Sequence, residues 1–181
     1  MKLNGIGSGV VVSKDGLIVT NAHVINMASR VFIIFSDGKV LTAELAAINP
    51  GNDLAILKIE PPKVLKPIKL AKEVIVGETV VSIGNSLGLQ NSVSAGIVSG
   101  TNRTIASQAA QNAFTGLIQT DASINQGSSG GALLNLDGEL AGISLGLVQS
   151  AQGVGFAIPS YKIKSILQDY RDAKAKQASL R

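Results

Sequence analysis

Gly127-Ser128-Ser129-Gly130-Gly131, continued by Ala132-Leu133-Leu134, is the stretch that decides which kind of fold the chain can adopt. A serine wrapped in glycines can be approached closely, and glycine lets successive backbone N–H groups turn toward one point. The stretch also fits G-x-S-x-G, the strand-to-helix elbow of α/β hydrolases, which needs a histidine later in the chain. No histidine follows Ser129: the sole one is His23, in Thr20-Asn21-Ala22-His23-Val24. An elbow at Ser129 would lack its imidazole, so the α/β reading fails. Between the two lies Asn52-Asp53-Leu54-Ala55-Ile56-Leu57, an acid at the head of an apolar run.

His23, Asp53 and Ser129 therefore follow the chain order of base, orienting acid and nucleophile used by serine hydrolases of the chymotrypsin type. The subtilisin order would need an aspartate before His23, where only Asp15 stands, in the turn Ser13-Lys14-Asp15-Gly16. Alone, each residue has an ordinary reading. Glycine-rich serine is a flexible loop, a lone histidine is packed or exposed, and aspartate after Gly-Asn is a turn residue. Their joint occurrence raises all three. His23 ends a strand-like run, Asp53 begins one in the same half, and Ser129 opens one in the other half, so all three can meet in a cleft between the halves.

At 181 residues the chain can build one large domain or two small subdomains with a proper core. Its composition is 45% apolar but only 3% aromatic, so Val, Ile, Leu and Ala must fill the interior. Twenty glycines against five prolines imply many tight turns, which suits an all-β chain. With no cysteine, disulfides, thiol nucleophiles and cysteine-bound zinc are excluded, and a single histidine argues against an imidazole metal site. The net charge is +4, yet six of the sixteen basic residues fall in the last twenty positions, where a solvated helix face accounts for them. Few aromatics and no basic stripe in the β region speak against nucleic-acid binding. Met1-Lys2-Leu3-Asn4-Gly5 lacks the apolar region of a signal peptide, and no run reaches the roughly 20 apolar residues of a membrane span. A soluble chain is expected.

Apolar runs rich in β-branched residues recur between turn signals and predict strands over residues 7–12, 17–20, 31–35, 41–48 and 54–59. Glu60-Pro61-Pro62-Lys63-Val64-Leu65-Lys66-Pro67 cannot hold a ladder, because proline has no N–H to donate, and it reads as a linker. Further strands are predicted over 79–83, 92–100, 117–120, 131–135, 139–145 and 154–158, with Asp37-Gly38 and Asp137-Gly138 as hairpin turns. Residues 101–114 read as a long mobile loop, and 147–152 as a second mobile segment near the site. Ser160 is the expected N-cap of an amphipathic helix from Tyr161 to about Gln177, packed on the second half through Ile163, Ile166, Leu167 and Tyr170. The expected organisation is a first half (1–60), a crossover (61–78), a second half (79–158), and a helix with tail (159–181). Closing each half into a barrel would remove exposed strand edges.

Several blocks together resemble the HtrA/Deg family of trypsin-like serine proteases: Gly7-Ser8-Gly9-Val10-Val11, Leu17 to Val24, Asp53 to Leu57, Ile83-Gly84-Asn85-Ser86, Gln119 to Asn125, and Gly153 to Pro159. They run in the family's order over nearly the whole chain. The resemblance implies two six-stranded antiparallel β-barrels of the chymotrypsin type plus a C-terminal helix. It makes His23 the general base, Asp53 its orienting acid and Ser129 the nucleophile, with the N–H groups of Gly127 and Ser129 as the oxyanion hole. It gives the specificity pocket as Ser123, Ile124 and Asn125 with Ser144, Leu145 and Gly146. It also implies unfolded polypeptide substrates, no cofactor or metal, a homotrimer, and a periplasmic or cell-envelope setting. The chain departs at Gln126, Ser128 and Ala132, where the family has Pro, Asn and Pro; the PDZ domain that commonly follows the protease in the family is expected to be either absent or cut away. The first half shows five strands where the family has six; the sixth is expected either upstream of Gly5 in a longer chain or missing, leaving a gap. The rival expectation is a catalytically silent peptide-binding or chaperone module on the same fold.

Overall fold

The computed structural model describes residues 5–26, 28–85, 92–106, 113–146 and 152–179. In chain order the strands are β1 (Val10–Val11), β2 (Leu17–Asn21), β3 (Val31–Ile34), β4 (Val40–Asn49) and β5 (Leu54–Lys58), then β6 (Thr79–Gly84), β7 (Ser92–Ile105), β8 (Phe114–Thr120), β9 (Ala132–Asn135), β10 (Leu140–Ser144) and β11 (Gly155–Pro159). Two helices join them, α1 (Ala22–Ile25) and α2 (Ser160–Ser179), together with a 3₁₀ turn at Pro50–Asn52. All eleven predicted strands are present. Each half is antiparallel throughout.

The second half closes into a barrel in the order β10-β11-β8-β7-β6-β9. The first half is a five-stranded sheet, β1-β2-β5-β4-β3, and it does not close. The expected pair of chymotrypsin-type halves is present, with the first short of one strand: among the described residues β1 and β3 have no further strand to pair with, so the first half keeps two edges. Residues 1–4, ahead of Gly5, lie outside the described residues.

Side-chain alternation explains the burial of both faces of β2 and β5. Leu17 and Val19, with Leu54 and Ile56, face a core shared with the second half, while Ile18 and Leu57 face the interior of the first. The shared core also takes in Leu140, Ile143, Leu145 and Ile158 and the helix residues Ile163, Ile166 and Leu167. Helix α2 thus touches β4 and β5 as well as β10 and β11, rather than the second half alone. Ser160 does not cap it as expected; its hydroxyl donates to the Ala71 carbonyl at 2.8 Å, tying the helix start to the crossover. The crossover itself is stitched to both halves, through Ile68 N–H to Val11 C=O (3.0 Å) and Leu140 N–H to Lys69 C=O (2.7 Å).

The predicted loop over 101–114 is corrected in part. β7 runs on through Thr101–Ile105 and pairs with β8 across register shifts, which absorb the polar residues there; 107–112 lie outside the described residues. The segment 147–151 lies outside them too.

Candidate active site

His23 is reached through β2, whose ladder with β5 ends at the pair Asn21↔Leu54. There the chain turns into the single-turn helix α1, which lifts His23 off the sheet. On the neighbouring strand, Pro50-Gly51-Asn52 makes a 3₁₀ turn, and Asp53 caps it in the left-handed region (φ 51°, ψ 41°). That conformation is uncommon outside glycine, and Asp tolerates it better than most residues. It is held by two donors on one carbonyl: Ala22 N–H and Asn21 Nδ2 each give a hydrogen bond to Asp53 C=O at 3.1 Å. A turn residue was the ordinary reading of Asp53, and it is one; the turn aims its carboxylate at His23.

Asp53 is buried, and both carboxylate oxygens are used. Oδ1 accepts the His23 backbone N–H at 2.9 Å, and Oδ2 lies 2.6 Å from His23 Nδ1. An ionised carboxylate can only accept, so this contact puts the ring proton on Nδ1 and leaves the lone pair on Nε2.

Ser129 lies across the seam, in the turn between β8 and β9, and is 6% exposed. The loop is shaped by Ser128 N–H to Asn125 C=O (2.9 Å), Gly131 N–H to Ser128 C=O (2.8 Å) and Gly130 N–H to Ser144 C=O (3.1 Å). Gly127 (φ 92°) and Gly130 (φ 83°) both require the left-handed region. A Cβ at Gly130 would come within 2.1 Å of the Ser8 carbonyl oxygen. Among the described residues, the N–H groups of Gly127 and Ser129 are given to no acceptor, and the Ser129 hydroxyl makes no hydrogen bond. Two unspent donors beside a hydroxyl can stabilise an oxyanion, and the hydroxyl is open to a partner that arrives with substrate.

His23 and Ser129 line the same cleft, of about 720 Å³. Of the predicted pocket residues, Ser123, Ile124, Asn125 and Gly146 line it with Gly127. Ser144 and Leu145 lie behind that wall, buried: Leu145 N–H donates to Phe156 C=O at 2.9 Å, and Ser144 Oγ faces Ser82 Oγ at 3.5 Å. Gly146 sits where a Cβ would approach Ser129 Oγ to 2.8 Å, and Ile124 Cδ1 lies over Gly155. Gln152, the end of the segment 147–152 expected near the site, lines the cleft, and so do Val24 and Asp121, unforeseen from sequence; Asp121 Oδ1 already accepts Ile97 N–H at 2.6 Å. Nothing local in a sequence flags them, since each reaches the cleft only through the folding of a different element.

The sequence model of the trypsin-like peptidase domain matches residues 7–143. The chain belongs to the trypsin-like peptidase family. Among its relatives, mouse serine protease HTRA4 is 42% identical over 172 residues, 94% of this chain and 35% of that protein. The periplasmic serine endoprotease DegP of Escherichia coli K12 is 42% identical over 171 residues, 91% of this chain and again 35% of that protein. A solved structure, the serine endoprotease from Yersinia pestis, superposes with a TM-score of 0.81 at 36% identity, covering 96% of this chain and 60% of that one. The chain therefore spans about a third of the length of the first two relatives, and its HtrA-type resemblance extends over nearly its full length. No helix among the described residues is long and apolar enough to cross a membrane.

Proposed function

We propose that this chain is a serine endopeptidase domain acting through an acyl-enzyme. Ser129 Oγ attacks the scissile carbonyl carbon and its proton passes to His23 Nε2; the tetrahedral oxyanion is held by the N–H groups of Gly127 and Ser129. Collapse breaks the C–N bond as His23 returns the proton to the leaving amine. Water, activated by His23 in turn, then releases the acyl group from Ser129. Asp53 keeps the imidazole in the required tautomer throughout. The observation that carries this reading is the fully engaged Asp53 carboxylate on His23, facing a cleft that also holds Ser129 and two unspent backbone donors.

In this proposal residues 1–181 form one protease domain, with the halves meeting at the crossover 61–78. Unfolded or misfolded polypeptides are the substrates, cleaved for protein quality control in the periplasm or cell envelope by a homotrimer; the DegP-type relatives support that setting. The pocket should favour small or medium aliphatic side chains, because Ile124 lies across Gly155 and the Asp121 carboxylate is tied to β7. Sequencing the fragments of a digested unfolded protein tests it, and a majority of cuts after Lys or Arg would sink the pocket assignment. For the chemistry itself the test is a fluorophosphonate probe. Labelling that disappears in Ser129→Ala requires an activated serine, whereas a folded protein that stays unlabelled would be the silent peptide-binding module.

A further inference from the structure

We propose that Ser8 is a positioning residue that holds the nucleophile loop in its oxyanion-binding form and fixes it to the strand leading to His23; the inference rests on Ser129 being the nucleophile. Ser8 is half-buried between the halves, and four hydrogen bonds converge on it. Its N–H donates to Ser129 C=O at 2.8 Å. Its hydroxyl donates to Gly127 C=O at 3.2 Å and accepts Asn85 N–H at 2.9 Å, from the end of the second-half strand β6. Its own carbonyl accepts the Thr20 hydroxyl at 2.7 Å, on β2 three residues before His23.

The two loop carbonyls that Ser8 engages belong to the same two residues whose N–H groups form the candidate oxyanion hole. Holding the carbonyls of Gly127 and Ser129 toward Ser8 fixes ψ at both residues. Gly127, with no Cβ to bias it, would otherwise rotate freely. Space around Ser8 is set for this: a Cβ at Gly7 would fall 2.5 Å from Val24 Cγ1, and one at Gly9 would fall 2.8 Å from Ile18 Cγ2. The segment can lie flush against β2 and α1 only with glycine on both sides. No ladder links β2 to the nucleophile loop, so Ser8 bridges them through Thr20 on one side and Gly127 and Ser129 on the other.

The experiment compares full-length wild type, Ser8→Ala, Ser8→Thr and Thr20→Val, using a quenched unfolded peptide for kcat and KM and a peptide boronate as oxyanion mimic. Ser8→Ala should lower kcat by about 10- to 100-fold, less than the 10²–10³ typical of deleting an oxyanion donor, while KM stays within about twofold. Boronate affinity should fall in step with kcat, Ser8→Thr should recover most of both, and Thr20→Val should show a milder loss of the same kind. A folded Ser8→Ala with wild-type kcat overturns the clamp. Should Ser8→Ala not fold, unchanged kcat in Thr20→Val does the same. Failure of the underlying assignment reads differently: Ser129→Ala would then keep activity, and wild type would take no fluorophosphonate label.

Discussion

In the second half every strand from β6 to β11 has a neighbour on both sides, and the turn carrying Ser129 is anchored to β10 and to the Ser8 segment. In the first half, β1 is two residues long and β3 pairs only with β4, leaving Ile34 and Val40 more than half exposed beside an open edge. The candidate base and acid belong to this open half. Ladder closure therefore does not hold them; the donors on the Asp53 carbonyl, the two contacts of its carboxylate and the bridge through Thr20 do. Placement of a few reacting atoms can thus be transferred from sheet topology to side-chain hydrogen bonds. A local sub-ångström demand then depends on a handful of groups.

The largest effects should come from breaking the link across the seam. Ser129→Ala and His23→Ala should each lower turnover by about 10⁴- to 10⁶-fold, with the double variant little worse, because groups acting as a unit are not additive. Losses that add on a logarithmic scale would separate the two halves functionally. Melting temperature should stay close to wild type in Ser129→Ala, since a hydroxyl without a hydrogen bond is removed from a glycine-lined cleft.

Asp53→Asn isolates the open half. Asn tolerates the left-handed backbone as Asp does, so the turn survives while the carboxylate is lost, and turnover should fall by on the order of 10⁴-fold, the size known for this change in another triad. Near-normal turnover in Asp53→Asn would mean that backbone placement, and not the carboxylate, is what the open half contributes.

Core truncations compare the halves as solids. Leu133 lies inside the closed barrel and Leu57 inside the open sheet. Of the roughly 2–5 kcal/mol that Leu→Ala costs in cores, Leu133→Ala should fall toward the upper end and Leu57→Ala toward the lower, because an open sheet relaxes into a cavity more readily. Urea denaturation of both variants measures this, and equal losses would show the open sheet to be as stiff as the barrel.

The smallest effect concerns Asp15, in the turn joining β1 to β2. The Ser13 hydroxyl first, and Lys58 with it, holds its carboxyl below the ordinary value of 3.8. A folded-state value below the unfolded one stabilises above the ordinary carboxylate range and is lost as pH falls through the folded value. Wild type should therefore melt slightly above Asp15→Asn at neutral pH and converge with it once the pH has fallen through the folded value, below the ordinary 3.8. A gap that persists in acid would assign the effect to packing.

Much of this was legible in the chain. Asp37-Gly38 and Asp137-Gly138 lie at hairpins, with Gly38 and Gly138 at positive φ, since an Asp-Gly turn is chosen by two residues. Strand existence followed from short apolar runs rich in β-branched residues between turn signals, which report a sheet whether or not it closes. Other features were out of reach: Thr101–Ile105 is polar and loop-like by composition, and only pairing with β8 makes it strand. α1 is four residues long, too short to leave a periodic signal.

Local rules, acting over two to five residues, determined from sequence alone the eleven strands, the terminal helix, the turn at Asp53 and the order of the three candidate site residues. Tertiary structure alone decided that one half closes and the other does not, that α2 bridges both, and that Ser144 and Leu145 lie behind the cleft wall while Asp121 lines it. The physical reason is separation along the chain. The hydrogen bond from Ser8 to Gly127 joins residues 119 positions apart, and neither residue type nor spacing encodes such a contact until the two halves have met.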